Sequence, residues 1–302
     1  MSESTHDVIV IGSGIAGLTA TKQLLQSQPG LIVANIEAEL FGGLVINIQE
    51  LDGKIHGSGV EFASSLMIEA TELGAAAISE RVTALAEDGG GWKVTTAEGI
   101  HRAQAVIVAS GAVLRKLSIP GEDEFEHKGV SRCADCDGPI FSGQDVVVAG
   151  GGDSALQEAH ILAKFCKQVH VVNRTAEFSA QPHLIAALSA CGNIMVRHLT
   201  EVEAILGKDK VEKVKIRNLT DKSVTEIACS GFFGFIGLSP AHDFMPTSIP
   251  RDASGFLITD DSLKAGNGLF VAGAARSGHG GMLEHAIADG IIAAKGVLKG
   301  FR

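Results

Sequence analysis

The sequence predicts an α/β protein built from two three-layer (ββα) units, the second inserted into the first. Three observations carry that prediction. A short apolar run leads into a glycine-rich turn twice, at Gly12-Ser13-Gly14-Ile15-Ala16-Gly17 and again at Gly150-Gly151-Gly152-Asp153-Ser154-Ala155, roughly 140 residues apart. Each turn is followed by a helical pattern and a second strand, so one βαβ architecture occurs twice. The tail, residues 268–299, holds a strand, a glycine-rich loop and a helix, too little for a domain of its own. It completes the first unit, giving expected domains of 1–116 with 239–302, and 117–238.

Taken in order, residues 8–11 form an apolar strand that ends in the first turn, 15–25 read as a helix, and 31–36 read as a strand ending at Glu37. This is the opening of a Rossmann-type domain. Gly42-Gly43 marks a loop, and 61–73 has apolar residues at helical spacing. Residues 82–85, 93–96 and 102–105 read as an antiparallel meander around Gly89-Gly90-Gly91, and 105–109 as a buried strand ending at Ser110-Gly111. The stretch 118–121 reads as a crossing between domains. Then the pattern restarts: strand 145–149, turn, helix 154–165, strand 168–172 ending at Asn173-Arg174. A second meander follows through 211–217 and 225–229, then a buried strand at 231–236 and a return crossing at 237–240. The tail contributes strand 269–272 and a helix from about Met282.

Composition narrows the class. A chain of 302 residues with 45% hydrophobic content and 37 glycines is long enough for two packed cores joined by many tight turns. A net charge of −10 argues against a nucleic-acid surface. No run of 18 apolar residues is present, so a membrane span is not expected. Residues 1–7 are short and polar rather than a secretory signal, and a cytoplasmic location is the expectation. The five cysteines do not read as a disulfide framework, and Cys166, Cys191 and Cys229 read as inert core residues.

The motifs carry the chemistry. In the first turn Gly12 permits the tight bend, Gly14 lets a pyrophosphate approach the backbone, and Gly17 lets helix and strand pack closely. The helix N-terminus adds unpaired N–H groups for phosphate. Glu37 stands where an acid accepts from a ribose hydroxyl. The second turn has Ala155 at the third glycine position, and Arg174 rather than an acid after its second strand, which leans toward NADP(H) over NAD(H). The alternative for that turn is one whose nucleotide role has been lost. Cys133-Ala134-Asp135-Cys136-Asp137-Gly138 reads as a redox pair, a zinc half-site or inert thiols; no second close pair exists to complete a zinc site. Asp137 fits either a general acid/base or a helix-capping acid. In the tail loop, His279 and His285 read either as a proton relay or as packed side chains. Two nucleotide sites and a dithiol would together suggest an electron path: nicotinamide to flavin to disulfide.

The ordered set from Ala105 to Arg174 resembles the low-molecular-weight thioredoxin reductases, and the resemblance runs over nearly the whole chain. It is carried by Ile107-Val108-Ala109-Ser110-Gly111, Arg115-Lys116-Leu117, Ile119-Pro120-Gly121-Glu122, Gly129-Val130-Ser131, the cysteine motif and the second glycine turn. The resemblance implies FAD in the discontinuous domain, NADPH in the inserted one, a homodimer, and a dithiol that reduces a partner's disulfide after a large domain rotation. It implies FAD contacts from Gly12, Gly14, Ile15, Ala16, Gly17, Glu37, Gly42, Gly43, Asn47, Val82, Ser110, Gly111, Gly273, Ala274 and Met282. NADP(H) contacts are implied for Gly150, Gly151, Gly152, Asp153, Ser154 and Arg174. Cys136 matches the cysteine that faces the flavin, Cys133 the one that attacks the partner, and Asp137 the acid beside them.

The departures cluster. The family's basic run for the 2′-phosphate, His-Arg-Arg with a further arginine, reads here Asn173-Arg174-Thr175 with Ser179 at the later position. The Gly-Asp that closes the tail strand reads Gly273-Ala274, and losing such a charged hydrogen bond costs about 1.5–3 kcal/mol when nothing replaces it. The Arg-Gln at the start of the last helix aligns with Gly281-Met282, and a flavin-side asparagine aligns with Gly53, with Asn47 as a substitute. The leading function is therefore a flavin disulfide reductase taking electrons from NAD(P)H and giving them to a thioredoxin-like protein. The alternatives are a flavin-dependent dithiol oxidase closing a disulfide in a small molecule with oxygen as acceptor, a reductase with another donor such as ferredoxin, and a nucleotide-binding sensor.

Overall fold

The computed structural model describes residues 2–48, 51 and 55–301. Two compact units divide the chain: Met1–Val113 together with Ser239–Arg302, and Leu114–Leu238. In chain order the α-helices are α1 (Ile15–Ser27), α2 (Gly59–Glu72), α3 (Ala134–Asp137), α4 (Asp153–Leu162), α5 (Pro182–Ser189) and α6 (Leu283–Leu298).

In the first unit the sheet runs Lys264–Gly266, Leu269–Val271, Gly99–Val108, Ser2–Ile11, Val33–Ile36, Ala76–Ile78. Its central strands are parallel, with Val8 opposite both Val33 and Ala105. Continuous apolar runs suit a parallel sheet covered on both faces. Val8 and Val10 pack under α1 and α6, while Ile9 and Ile11 pack toward Leu85, Trp92 and Val94 of the hairpin Val82–Asp88 and Gly91–Thr96. Gly290 lets α6 close on α1: a Cβ there would stand 2.5 Å from Ala16 O.

Residues 99–108, which the sequence splits at 105, form one strand. Its first half takes Gly91–Thr96 as an antiparallel partner, with Trp92 opposite Ala103; its second half takes Leu269–Val271 as a parallel partner. The alternating pattern at one end and the unbroken apolar run at the other are two environments of a single strand. The first strand is also longer than its apolar run, because residues 2–6 pair with 99–103.

The second unit repeats the plan. Its parallel sheet runs Ile194–Arg197, Gln168–Val172, Asp145–Ala149, Gly231–Gly234, Val130–Ser131. Val146 and Val148 face Ala134 of α3, Leu156 and Leu162 of α4 and Leu188 of α5. Val147 and Ala149 face the antiparallel sheet Thr200–Gly207, Val211–Asn218, Val224–Ala228. The sequence reading leaves 174–210 without elements; the structure places α5, Ile194–Arg197 and Thr200–Gly207 there. Ile194–Arg197 is weakly patterned because it is the outer strand of its sheet, with Met195 and Val196 exposed. The stretch 118–121 lies inside this unit, where Ile205 N–H donates to Pro120 O at 2.9 Å. No helix among the described residues is long and apolar enough to cross a membrane.

Candidate functional site

The first glycine turn sits where the strand Ser2–Ile11 feeds α1. Gly12 has φ +105°, and a Cβ there would lie 2.3 Å from Ala109 O; one on Gly17 would lie 2.0 Å from Gly12 O. Only glycine fits either place. Gly14 differs: its φ is −72° and the nearest atom to a Cβ would be Gly42 O at 3.9 Å. Gly43 has only the Gly14 Cα nearby, and Gly111 has nothing within 4 Å. Gly42 N–H donates to Ser13 O at 2.7 Å, tying the two loops together. The result is a cradle without side chains, opposite the N-terminus of α1, whose N-cap Gly14 offers no side chain to the helix's N–H groups. That is the setting a pyrophosphate needs. Ile15 and Ala16 open the helix and are buried in its packing.

Glu37 is bonded to the turn itself. Its Oε2 accepts from Ser13 N–H at 2.9 Å, and Oε1 accepts from the N–H groups of Ala38 at 2.8 Å and Glu39 at 3.1 Å. The acid expected to meet a ribose is thus also the clamp that shapes the turn. Ser110 Oγ is buried with no hydrogen-bond partner among the described residues, an orphaned polar atom. Val82 opens the strand Val82–Asp88, Asn47 ends the 3₁₀ turn Gly43–Asn47 and is exposed, and Gly53 lies outside the described residues.

The tail loop comes to the same helix: Gly273 has φ +72°, and a Cβ there would meet Ala16 Cβ at 2.8 Å. Ala274 follows in the short turn Gly273–Ala275, and Met282 is the exposed N-cap of α6. The residue that organises this loop was missed in the sequence. Asp289, 3% exposed, accepts from Gly273 N–H at 3.0 Å, from Arg276 Nε at 2.6 Å and a terminal Arg276 nitrogen at 2.8 Å, and lies 3.2 Å from His279 Nδ1. Burial opposes its charge, but the bonds from His279 and Arg276 outweigh burial and hold the carboxyl below the usual range. The signal was an acid inside the apolar run Ala286-Ile287-Ala288-Asp289-Gly290-Ile291. His279 is held by Asp289, and its ring meets that of His285 edge-on at 6.1 Å.

The second turn copies the first. Gly150 has φ +143° and a Cβ there would lie 2.2 Å from Phe235 O; at Gly152, the uncapped N-cap of α4, the nearest atom is Ser179 Oγ at 3.7 Å. Ala155 is buried beneath the turn and Ser154 is exposed on it. Asp153 accepts from Gln181 N–H and Nε2, both at 2.8 Å, and these bonds lower its pKa. Asn173 is a scaffold: its amide bonds Thr175 O and Glu177 O, and a Cβ on Gly151 would strike its Oδ1. Arg174 is exposed and makes no ion pair among the described residues. It is the only cation in 173–181.

Cys133 and Cys136 form a disulfide with Cα atoms 5.3 Å apart. Cys133 is the N-cap of α3, and Cys136 N–H donates to its Sγ at 3.1 Å. Cys136 is the more exposed of the two. Asp137 caps nothing with its side chain; its Oδ2 accepts from Ser131 Oγ at 2.6 Å, and Ser131 Oγ in turn accepts from Cys133 N–H at 3.2 Å. Acid, hydroxyl and redox pair are therefore one hydrogen-bonded group. Ala134 N–H donates to Glu158 Oε2 at 2.6 Å. Of the other cysteines, burial pushes Cys166 up to about 11 and Cys229 up to about 12. Cys191 departs from the expected core setting: half-buried just past α5, its Sγ lies 3.4 Å from His160 Nδ1.

The model of the pyridine nucleotide-disulphide oxidoreductase family matches residues 6–290. A thioredoxin reductase of Treponema pallidum is 34% identical over 297 residues, covering 97% of this chain and 96% of that protein. A bifunctional thioredoxin reductase/thioredoxin of Mycobacterium leprae is 35% identical over 280 residues, which are 90% of this chain and 60% of that longer protein. The crystal structure of Lactococcus lactis thioredoxin reductase, in its FR conformation, superposes with a TM-score of 0.92 at 32% identity, covering 97% of this chain and 98% of the other.

Proposed function

The chain belongs to the pyridine nucleotide-disulphide oxidoreductase family and is an oxidoreductase, and from that premise we propose that it carries electrons from NADPH, by way of FAD in the first unit, to Cys133–Cys136 and on to the disulfide of a thioredoxin-like protein. The observation that carries this reading is the Cys133–Cys136 disulfide, bonded to an acid–hydroxyl pair in the same unit as the second glycine turn. The side-chain-free cradle at Gly14, Gly43 and Gly111, and the orphaned Ser110 hydroxyl, support FAD in the first unit.

Gly12, Gly14, Ile15, Ala16 and Gly17 would hold the pyrophosphate, Glu37 and Val82 the adenosine, and Gly42, Gly43, Asn47, Ser110 and Gly111 the flavin side. Gly273, Ala274 and Met282 would close over it from the tail. FAD, when bound, supplies two-electron exchange between nicotinamide and disulfide. Gly150, Gly151, Gly152, Asp153 and Ser154 would take the NADPH pyrophosphate, and Arg174 the 2′-phosphate.

Opening Cys133–Cys136 consumes two electrons and two protons and leaves two thiols. Loss of one proton makes Cys133 a thiolate, which attacks the partner's disulfide. A mixed disulfide forms, and the partner's other sulfur leaves as a thiolate that is then protonated. Cys136, deprotonated in turn, attacks the Cys133 sulfur; the intramolecular disulfide re-forms and the partner leaves reduced. Asp137, braced by Ser131, is the acid that would give or take the proton at these sulfurs. The reading extends to a homodimer in the cytoplasm.

Stopped-flow mixing of the FAD-loaded protein with NADPH tests it. Fast flavin bleaching, followed by reduction of thioredoxin that Cys136→Ser abolishes, is the expected result. The lone cation Arg174 favours one second reading, a dithiol oxidase with a weakened nicotinamide site. Its signature is no bleaching by either nicotinamide but bleaching by a dithiol.

A further inference from the structure

Glu158 is an acid whose role neither glycine turn nor cysteine pair accounts for. It lies in the middle of α4, the helix that starts at the second glycine turn, and it is half-buried. Its Oε2 accepts from the N–H of Ala134, the fully buried first residue of α3. Ala134 directly follows Cys133, and the neighbouring donor in the same turn, Cys136 N–H, is given to the Cys133 sulfur. The opening turn of the redox helix thus divides its N–H groups between a carboxylate and a cysteine sulfur.

We propose that Glu158 is a positioning residue for the redox pair, fixing the first turn of α3 to α4 and, as an anion, disfavouring the Cys133 thiolate once the disulfide is opened. The proposal rests on the dithiol reading above. The Glu158 carboxylate is bonded to the N–H of the peptide unit that adjoins Cys133, and two negative charges that close repel, so ionising either group raises the pKa of the other. Burial, reinforced by the charge of Asp135 and partly offset by the Ala134 N–H bond, raises Glu158 to about 6. Its charge therefore changes close to the working range of a thiol.

The other charged groups on the elements packed against α4 are engaged elsewhere. On α4 itself, Asp153 is bound to Gln181, and His160 faces Cys191. His183 of α5 acts on Asp153. Asp145, on strand Asp145–Ala149, faces Lys167, and His170, on strand Gln168–Val172, faces Arg197. On α3, Asp137 is bound to Ser131, leaving Asp135 as the charge that acts on Glu158.

The test is alkylation of the fully reduced, full-length protein by iodoacetamide from pH 5 to pH 9, with modification at Cys133 read by peptide mass spectrometry. It uses neither a nicotinamide nor a partner protein, so its failure is separable from failure of the electron path. Wild type should show the Cys133 thiol inflection and a second, smaller one near the Glu158 pKa. Glu158→Gln keeps an acceptor for Ala134 N–H but removes the charge. It should lose the lower inflection and react about threefold or more faster at pH 7. Profiles that superimpose for wild type and Glu158→Gln overturn the proposal. If Glu158→Gln fails to fold, Asp135→Asn decides: the lower inflection should move to lower pH, and an unmoved one overturns the proposal equally.

Discussion

Asp289 holds the Arg276 guanidinium in two bonds of 2.6 and 2.8 Å and, with the oxygen that meets Nε, also accepts the Gly273 N–H at 3.0 Å. One buried carboxylate on α6 thereby sets the conformation of the loop beside the cradle, at the position where Ala274 stands in place of the family's acid.

Replacing Asp289 by Asn leaves the Arg276 charge buried without its counter-ion. Breaking such a pair costs about 3–5 kcal/mol, so a lowered urea midpoint and a lower flavin-to-protein ratio are expected. The pH dependence has a definite sign. The folded-state pKa of Asp289 lies below its unfolded value, so its contribution is complete above the unfolded pKa and is lost as pH falls through the folded one. An acid-unfolding midpoint identical in wild type and Asp289→Asn contradicts this account.

The two glycines of the first turn should separate folding from binding. Gly12→Ala places a Cβ 2.3 Å from Ala109 O at a positive φ and should destabilise the protein by at least about 1–3 kcal/mol even without flavin. Gly14→Ala meets nothing closer than 3.9 Å and should leave apoprotein melting unchanged. It should weaken FAD about tenfold or more, equivalent to ~1.4 kcal/mol. Thermal melts of apoprotein and flavin titration by fluorescence read the two effects; equal melting losses for both variants contradict the cradle.

Arg174→Ala tests donor choice. A charge-assisted bond is worth about 1.5–3 kcal/mol, and this side chain is exposed, so the lower end applies. The KM for NADPH should rise about tenfold while that for NADH stays level. Equal changes for both donors remove Arg174 from the 2′-phosphate site.

Asp137→Asn should slow disulfide turnover by about 10²–10⁴-fold while nicotinamide-driven flavin bleaching continues, because the acid is bonded to Ser131 beside the redox pair. Rapid-mixing traces that lose both phases together would place Asp137 in the fold rather than in the chemistry.

Much of this protein could be read before any coordinates. Local rules fix the two glycine turns, the strands that feed them and the close cysteine pair: a positive φ at Gly12 and Gly150, a short path between Cys133 and Cys136, and apolar runs that only a covered parallel sheet uses. What stayed hidden depends on partners far apart in the chain. Asp289 matters because a helix returns it to Gly273 and Arg276; Glu158 matters because α4 packs on α3; Asn173 braces the loop after its strand through Thr175 and Glu177. The strand Ile194–Arg197 was missed because an outer strand keeps side chains in water and loses its apolar signature. Backbone geometry and hydrophobic period are written residue by residue, whereas the pairing of buried polar groups is decided only when distant segments meet.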